Sequence, residues 1–427
     1  MNYEETIAFL YTQLPMYSRI GKAAYKSDLT NTIQLCKLLH HPEQAFQSIH
    51  IAGTNGKGSV SHMLAAVLQL NGYKTGLYTS PHLKDFRERI RIDGAMIPRE
   101  FVVEFVQDHR EAVTVIGCSF FEWTVGLAFD YFRKEKVDIA VIETGLGGRL
   151  DSTNVITPLL SVITNVSYDH TDLLGDTLEK IAFEKAGIIK PSVPVVIGER
   201  SSETDRVFSS AALSKNADLN FASDYWGVTD ATFQQDFLAL SIKNKANEIW
   251  KVNLDLTGEY QQKNILTVLE STRALGSIGF KLQKEKCITA LQSVKLLTGL
   301  RGRWEILSAH PLTIADVAHN EAGINYSIRQ LKHIPFQKLH IVLGFVQEKD
   351  LQKILHLFPV HAIYYFCRPD IPRGLDVEVL RTAAAGHHLK GSAYLSVPEA
   401  FEAAKANALP EDLIYVGGST FVVAEVV

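Results

Sequence analysis

Four apolar runs in this sequence lead into residues able to hold an anion or a hard cation. Ile49-His50-Ile51-Ala52 enters the glycine-rich stretch Gly53-Thr54-Asn55-Gly56-Lys57-Gly58-Ser59. A run from Lys74 to Tyr78 is followed by Thr79-Ser80-Pro81-His82-Leu83, and one from Val137 ends on the carboxylate of Glu143. A last run, from Leu159 to Thr164, opens into Asn165-Val166-Ser167-Tyr168-Asp169-His170. Glycines between a strand and a helix let backbone N–H groups converge on a phosphate, and the helix N-terminus adds partial positive charge. Lys57 can reach the terminal phosphates, with a hydroxyl from Thr54 or Ser59. The general Walker pattern asks for Gly at position 51 and Ser or Thr at 58. Ile51 and Gly58 stand there, so this is a tighter variant of that loop.

Each candidate has a plainer reading. Lys57 could be a solvated lysine on a turn, and Glu143 could cap the turn that follows it. The phosphate loop upstream favours nucleotide for the first and a divalent cation for the second, since an acid at a strand end beside such a loop commonly holds Mg²⁺. A lone histidine is more often structural. At this edge His170 is a credible ligand, although imidazole is an unusual partner for Mg²⁺. Arg87, Arg89 and Arg91 could meet an anionic substrate, but on that segment alone a solvated face is the better expectation. Phe120-Phe121 is core material or a platform for a flat aromatic ligand. Lys185 could simply be a surface cation.

These residues need a sheet to align them. Val60, Met63, Leu64, Val67 and Leu68 mark one apolar helix face directly after the glycine loop, closed by Gly72. Strands from Lys74, Val137 and Leu159 then alternate with helices, one of them from Phe120 to about Lys134. That order predicts a mainly parallel α/β sheet with Ser80, Glu143 and His170 at one edge, where open sheets bind ligands. A helix from Thr177 to Lys190 carries Lys185. Residues 200–250 predict a helix and short polar strands without chemistry. Gln261 and Asn264 share a face before a helix beginning near Ile265, and could read an adenine edge. The pattern breaks near 297. A second, smaller α/β domain follows, with strands at Thr313, Leu339–Leu343, Ala362–Phe366 and Leu413–Val416. The expected division is therefore 1–297 and 298–427.

The 427 residues, 46% hydrophobic and 21% charged, describe an ordinary globular chain. Forty-three basic against 47 acidic residues give a net charge of −4, which offers no attraction to nucleic acid or a membrane surface. Four scattered cysteines without a Cys-x-x-Cys pair suit a reducing compartment, and no apolar run spans a bilayer. A cytoplasmic location is the expectation.

In this order the motifs Gly53–Ser59, Thr79–Leu83, Phe120–Thr124, Glu143–Asn154, Thr164–His170, Glu184–Lys190, Gly302–Glu305 and Asp316–Asn320 resemble the folylpolyglutamate synthases and dihydrofolate synthases of the Mur ligase superfamily, nearly end to end. The resemblance implies a P-loop-type ATPase domain, a Rossmann-like ligase domain and ATP between them. It assigns Thr54, Asn55, Gly56, Lys57, Gly58 and Ser59, with Asn264, Arg303 and Asp316, to ATP. Ser80, Glu143 and His170 match ligands of Mg²⁺, of which two are expected, and Lys185 matches a lysine carbamylated in relatives and so able to orient the second. Lys57, Lys185 and His319 become the catalytic candidates, His319 on a transferred phosphate. Ser119, Phe120, Phe121 and Glu122, with Leu150, Asp151 and Ser152, match positions that hold a pterin, with a loop around Met16–Gly21 closing over it. Tyr260-Gln261 stands where many relatives have His-Gln, and Arg301-Gly302-Arg303 where many have Pro-Gly-Arg.

The implied reaction is ATP-dependent addition of L-glutamate to dihydropteroate, and to tetrahydrofolates as polyglutamylation, through an acyl phosphate. The implied state is a monomer with no nucleic-acid or membrane partner. A monofunctional folylpolyglutamate synthase is the alternative. A Mur-type ligase on a UDP-linked sugar peptide would need a uridine domain ahead of residue 53, and a nucleotide switch would need a stricter Walker loop.

Overall fold

The computed structural model describes residues 1–16, 28–234 and 236–427. They form two compact units: Met1–Asp255 with Gln261–Leu300, and Leu256–Tyr260 with Arg301–Val427.

The first unit is built on eight strands: β1 (Gln47–Ala52), β2 (Thr75–Tyr78), β3 (Ile90–Ile92), β4 (Ala95–Met96), β5 (Ile139–Glu143), β6 (Leu160–Ile163), β7 (Val195–Ile197) and β8 (Leu219–Phe221). Their order is β4-β3-β2-β5-β1-β6-β7-β8. The six strands from β2 to β8 run parallel, and β3 and β4 add an antiparallel hairpin at one edge. β2, β5 and β6 are buried along their whole length, as strands covered on both faces must be; β5 reads Ile-Ala-Val-Ile before Glu143, while β2 and β6 mix apolar residues with Thr75, Gly76 and Ser161. In register, Ile51 lies beside Glu143, Ala52 beside Ile163 and Tyr78 beside Ile142. The segments that follow all four strands therefore leave from one end of the sheet.

Helices cover both faces. Lys57–Leu70 presents Val60, Met63, Leu64, Val67 and Leu68, all buried, to its neighbours. Phe120–Lys134 is anchored by Trp123, Phe129 and Phe132, which join Leu10, Leu35 and Phe105 in one core cluster. The 18-residue helix Arg99–Ile116 was not anticipated. It begins after Pro98, ends at Gly117 (φ 74°) and buries Val102, Phe105, Val106 and Val113. A separate antiparallel sheet, β9 (Trp226–Phe233), β10 (Leu238–Asn244) and β11 (Ile249–Leu254), follows β8.

The second unit has strands β12 (Glu305–Ala309), β13 (Leu312–Ala315), β14 (Leu339–Leu343), β15 (Ile363–Cys367), β16 (Gly391–Tyr394) and β17 (Leu413–Gly417) in the order β12-β13-β17-β14-β15-β16. Only β12 is antiparallel to its neighbour, an addition to the parallel strands the sequence predicts. Its core joins Trp304, Ile341, Phe345, Tyr364, Phe366 and Tyr415. Among the described residues no helix is long and apolar enough to cross a membrane.

Candidate active site

The phosphate loop is shaped by two glycines that nothing else could replace. Gly53 (φ +149°) has Thr164 Oγ1 only 1.9 Å from where a Cβ would stand, and Gly56 (φ +83°) has Asn264 Oδ1 at 2.3 Å. The loop is strapped to the chain leaving β6. Thr54 N donates to Asn165 O (2.9 Å), Asn55 N to Asn165 Oδ1 (2.9 Å), Ser167 N to Thr54 Oγ1 (3.0 Å) and Thr164 Oγ1 to Asn55 O (2.6 Å). Lys57 starts the helix and folds back, its Nζ donating to the carbonyls of Gly53 (3.1 Å) and Thr54 (3.2 Å). A phosphate would offer this ammonium a charged partner in place of two neutral ones. Gly58 and Ser59 lie in the first turn.

The amides Gln261 and Asn264 differ from expectation. The helix starts at Gln261 and runs to Ser277, four residues ahead of Ile265. Asn264 Nδ2 donates to Gln261 Oε1 (2.8 Å), and Gln261 Nε2 donates to the Ser59 hydroxyl (3.1 Å). Both amides are buried and tied to the loop rather than displayed for a base edge.

At the same end of the sheet Glu143 is 4% exposed and accepts from Ser80 N (3.3 Å). The Ser80–Pro81 peptide is cis. Further along, His170 (φ 49°) caps the single turn Thr171–Leu174, a left-handed backbone uncommon outside glycine. Ser80 and Glu143 carry oxygen atoms of the kind a hard divalent cation takes, and His170 carries a nitrogen. Among the described residues no three His, Cys, Asp or Glu side chains gather as a metal centre; this set holds two, with a hydroxyl. Lys185, on the helix Leu178–Ala186, is 2% exposed, so the surface-cation reading fails. Burial first, then the Lys57 charge, push its ammonium down to about 7, while Asp169 opposes them. No hydrogen bond or ion pair from its Nζ is found among the described residues. A buried amine held partly neutral near physiological pH is a nucleophile.

The residues expected to hold a pterin prove to be partly scaffold. Ser119 Oγ accepts from Glu122 N (3.3 Å) and Glu122 Oε2 accepts from Ser119 N (2.6 Å), a capping box for the helix Phe120–Lys134. Ser-x-x-Glu ahead of an apolar run was the signal for it. Asp151 accepts from Leu146 N (2.8 Å), Thr153 N (3.0 Å) and Thr153 Oγ1 (2.5 Å), and Thr153 Oγ1 in turn meets His50 Nε2 (2.8 Å) inside the sheet. This carboxylate pins the loop between β5 and Val155. Leu150 is half-buried and Ser152 buried. Phe121 packs against Gly145, where a Cβ would lie 2.5 Å from its ring, and Phe120 contacts Phe86 and Tyr11 at 5.9 and 5.6 Å. Of the loop at Met16–Gly21, all beyond Met16 lies outside the described residues.

The charged segment is not a solvated face. Arg89 and Arg91 are 7% and 8% exposed. Long-range packing overrides their polarity: Phe120 covers Arg89, and Gly299 lies against Arg91.

In the second unit Asp316 directly follows β13. Its Oδ2 accepts from Tyr260 OH and Trp304 N (both 2.7 Å), its Oδ1 from Ala318 N (2.9 Å) and Ser327 Oγ (3.4 Å). Burial still lifts it above the usual carboxylate range, against those donors and the Arg303 charge. His319 Nδ1 lies 3.0 Å from Val317 O, and Asn320 caps the helix Glu321–Leu331 through Gly323 N (2.9 Å).

A strand-ended phosphate loop, an acid at the neighbouring strand end and a second α/β unit agree with what known proteins show. Residues 51–272 match the Mur ligase middle domain, and residues 302–420 the Mur ligase glutamate ligase domain. The folylpolyglutamate synthase of Lacticaseibacillus casei is 33% identical over all of this chain and 98% of its own. The dihydrofolate synthase/folylpolyglutamate synthase of Escherichia coli is 32% identical over 88% of this chain and 85% of its own. A structure of E. coli FolC in complex with DHPP and ADP superposes with a TM-score of 0.86 at 28% identity, covering 100% of this chain and 97% of that one. The chain belongs to the Mur ligases, and within them to the folylpolyglutamate synthase/dihydrofolate synthase family.

Proposed function

We propose that this chain is an ATP-dependent acid–amino acid ligase that adds L-glutamate to dihydropteroate, giving dihydrofolate, and to tetrahydrofolates, lengthening the tail. One observation supports this most: Lys57, Glu143 and the partly neutral Lys185 belong to one end of one sheet, as a site that handles a triphosphate and a carboxylate requires. The working division is an ATPase domain, 1–297, and a ligase domain, 298–427, acting as a monomer. Four unpaired, buried cysteines fit a cytoplasmic setting.

The chemistry follows from the groups present. A carboxylate resists attack by an amine, so it must first receive the γ-phosphoryl group. Backbone N–H groups of Gly56 to Ser59 would cradle the phosphates beside the Asn55 side chain, and Lys57 would leave the Gly53 and Thr54 carbonyls to follow the charge on the transferring group. Ser80, Glu143 and His170 would hold Mg²⁺, which supplies charge neutralisation on the phosphates. Lys185, sealed from solvent and low in pKa, is suited to add to CO₂ and become a carbamate. The glutamate amine would then attack the acyl phosphate and phosphate would leave, with His319 the candidate to receive it. Asn264 would support the loop through Gly56, and Asp316 and Arg303 are further candidates for nucleotide contacts.

ADP release by the purified protein tests this. ATP, Mg²⁺ and glutamate with dihydropteroate should release ADP, and so should the same mixture with tetrahydrofolate. Release with the folate alone would leave a monofunctional folylpolyglutamate synthase. Turnover indifferent to glutamate and pterin would refute ligation.

A further inference from the structure

Arg89 is a buried guanidinium with no carboxylate at ion-pair distance among the described residues; the Glu143 charge acts on it from farther off. Its Nε donates to His82 Nδ1 at 2.7 Å, its plane lies 5.3 Å over the Phe120 ring, and the Tyr78 hydroxyl sits beside it. Among the described residues no aspartate or glutamate forms an ion pair with it. Arg91, equally buried two residues on, makes a useful contrast: its Nη1 is spent on Gly94 O (3.0 Å) and its guanidinium packs against Gly299. Asp130, a buried charge of the same unit at 2% exposed, is by contrast paired with both Arg133 and Lys134. An unpaired buried charge is costly, and a fold that keeps one commonly does so for a ligand.

Its surroundings name the ligand's chemistry. An arginine fork matches a planar carboxylate. The walls are aromatic: Phe120, Phe86, Tyr11 and Tyr78. A flat ring system ending in a carboxylate satisfies both. The fork is also held in place. Arginine has no acceptor, so His82 Nδ1 must be the lone-pair nitrogen, which puts the ring's proton on Nε2, facing Tyr11 OH at 3.1 Å. A histidine in that tautomer steers the guanidinium without neutralising it.

We propose that Arg89 binds the carboxylate of the pterin substrate, the group the reaction activates, and that His82 is the positioning residue that aims it. This rests on the functional reading above, and the test separates the two.

Calorimetric binding to the full-length protein should compare dihydropteroate with the analogue whose benzoate carboxylate is replaced by hydrogen. The wild type should favour the carboxylate by roughly ten- to a hundredfold. Arg89→Gln should bring the two ligands within about threefold, by weakening dihydropteroate alone, with ADP affinity unchanged. His82→Ala should give an intermediate preference that His82→Gln, which returns an acceptor, largely restores. Equal weakening of both ligands in Arg89→Gln, or an undiminished preference, overturns the assignment. If the glutamine variant does not fold, Arg89→Lys keeps the charge and loses the fork; a wild-type preference there overturns it equally. A wild type that binds dihydropteroate without discriminating removes Arg89 alone. One that binds neither ligand removes the functional reading and Arg89 with it.

Discussion

The polar groups of the two units are treated in opposite ways. At the strand ends of the first unit they are underused. Lys57 spends its ammonium on two neutral carbonyls of its own loop, and Lys185 is buried with a depressed pKa. In the second unit Asp316 accepts four protein donors, and Asn320 closes a helix. Capacity left open inside a fold costs stability and is what a reacting ligand uses; capacity that is filled holds the fold together. Lys57 and Lys185 should therefore matter to turnover more than to folding, and Asp316 the reverse.

The sharpest break would come at Lys57. Lys57→Ala should lower turnover by at least about 10²-fold, since it removes the cation on the transferring phosphate. Its melting temperature should stay close to wild type, because the side chain bonds only to its own loop. Unfolding in step with lost ADP release would make Lys57 a structural residue. Lys185→Ala should follow, with a loss of about tenfold or more and no rescue by bicarbonate. Lys185 also carries a pH signature. Its folded value, about 7, lies below the ordinary 10.5 because burial and Lys57 disfavour the charge. Between those values the unfolded chain binds more protons, so stability rises with pH across that window, and the full penalty applies below it. Lys185→Met should raise the denaturant midpoint near neutrality and flatten its climb toward alkaline pH. A midpoint whose pH dependence is unchanged would mean that the amine is not strained.

This contrast was only half legible in the sequence. The phosphate loop is local chemistry: two glycines forced to positive φ, a strand before and a helix after, all within Gln47–Leu70. Glu143 was legible because an apolar run that stops on an acid is rare without a reason. What stayed hidden depends on distant partners. Asp316 is filled by Tyr260, 56 residues earlier, and no spacing rule links the two. Arg89 looked solvated because charge density along the chain says nothing of the aromatic lid that Phe120 brings from another helix. The helix Arg99–Ile116 did carry a signal, Val102, Phe105 and Val106 at helical spacing, though charged residues crowd between them.

In the second unit the expected effect is on folding. Asp316→Asn replaces an acceptor oxygen with a donor facing Tyr260 OH and Trp304 N or Ala318 N and Ser327 Oγ. The hydroxyl in either pair can turn to accept, but its backbone N–H neighbour is left facing N–H, which costs about 1–3 kcal/mol. Tyr260→Phe, which removes one donor, should cost about 1 kcal/mol. The readout is chemical denaturation followed by tryptophan fluorescence, since Trp304 lies beside Asp316. If Asp316→Asn leaves the unfolding curve in place and raises the KM for ATP instead, Asp316 sits with Lys57 in the open class and the contrast between the units is lost.

The smallest effect would divide the first unit itself. Ser119 and Glu122 are candidates for pterin contacts, yet their polar atoms close a capping box. Ser119→Ala removes the hydroxyl that receives Glu122 N and should cost about 1 kcal/mol. Any accompanying rise in the KM for dihydropteroate could come from a frayed helix start, because Phe120 and Phe121 are its first two residues. Ser119→Asp separates the causes. Aspartate caps as well as serine, so stability should return, and a carboxylate at a helix N-terminus is favourable. If the KM returns with it, Ser119 acts only by holding the two rings in place. A KM that stays high in a fully stable Ser119→Asp protein would give the hydroxyl a direct hold on the substrate, and the capping box would then belong to the open groups of this unit, not the filled ones.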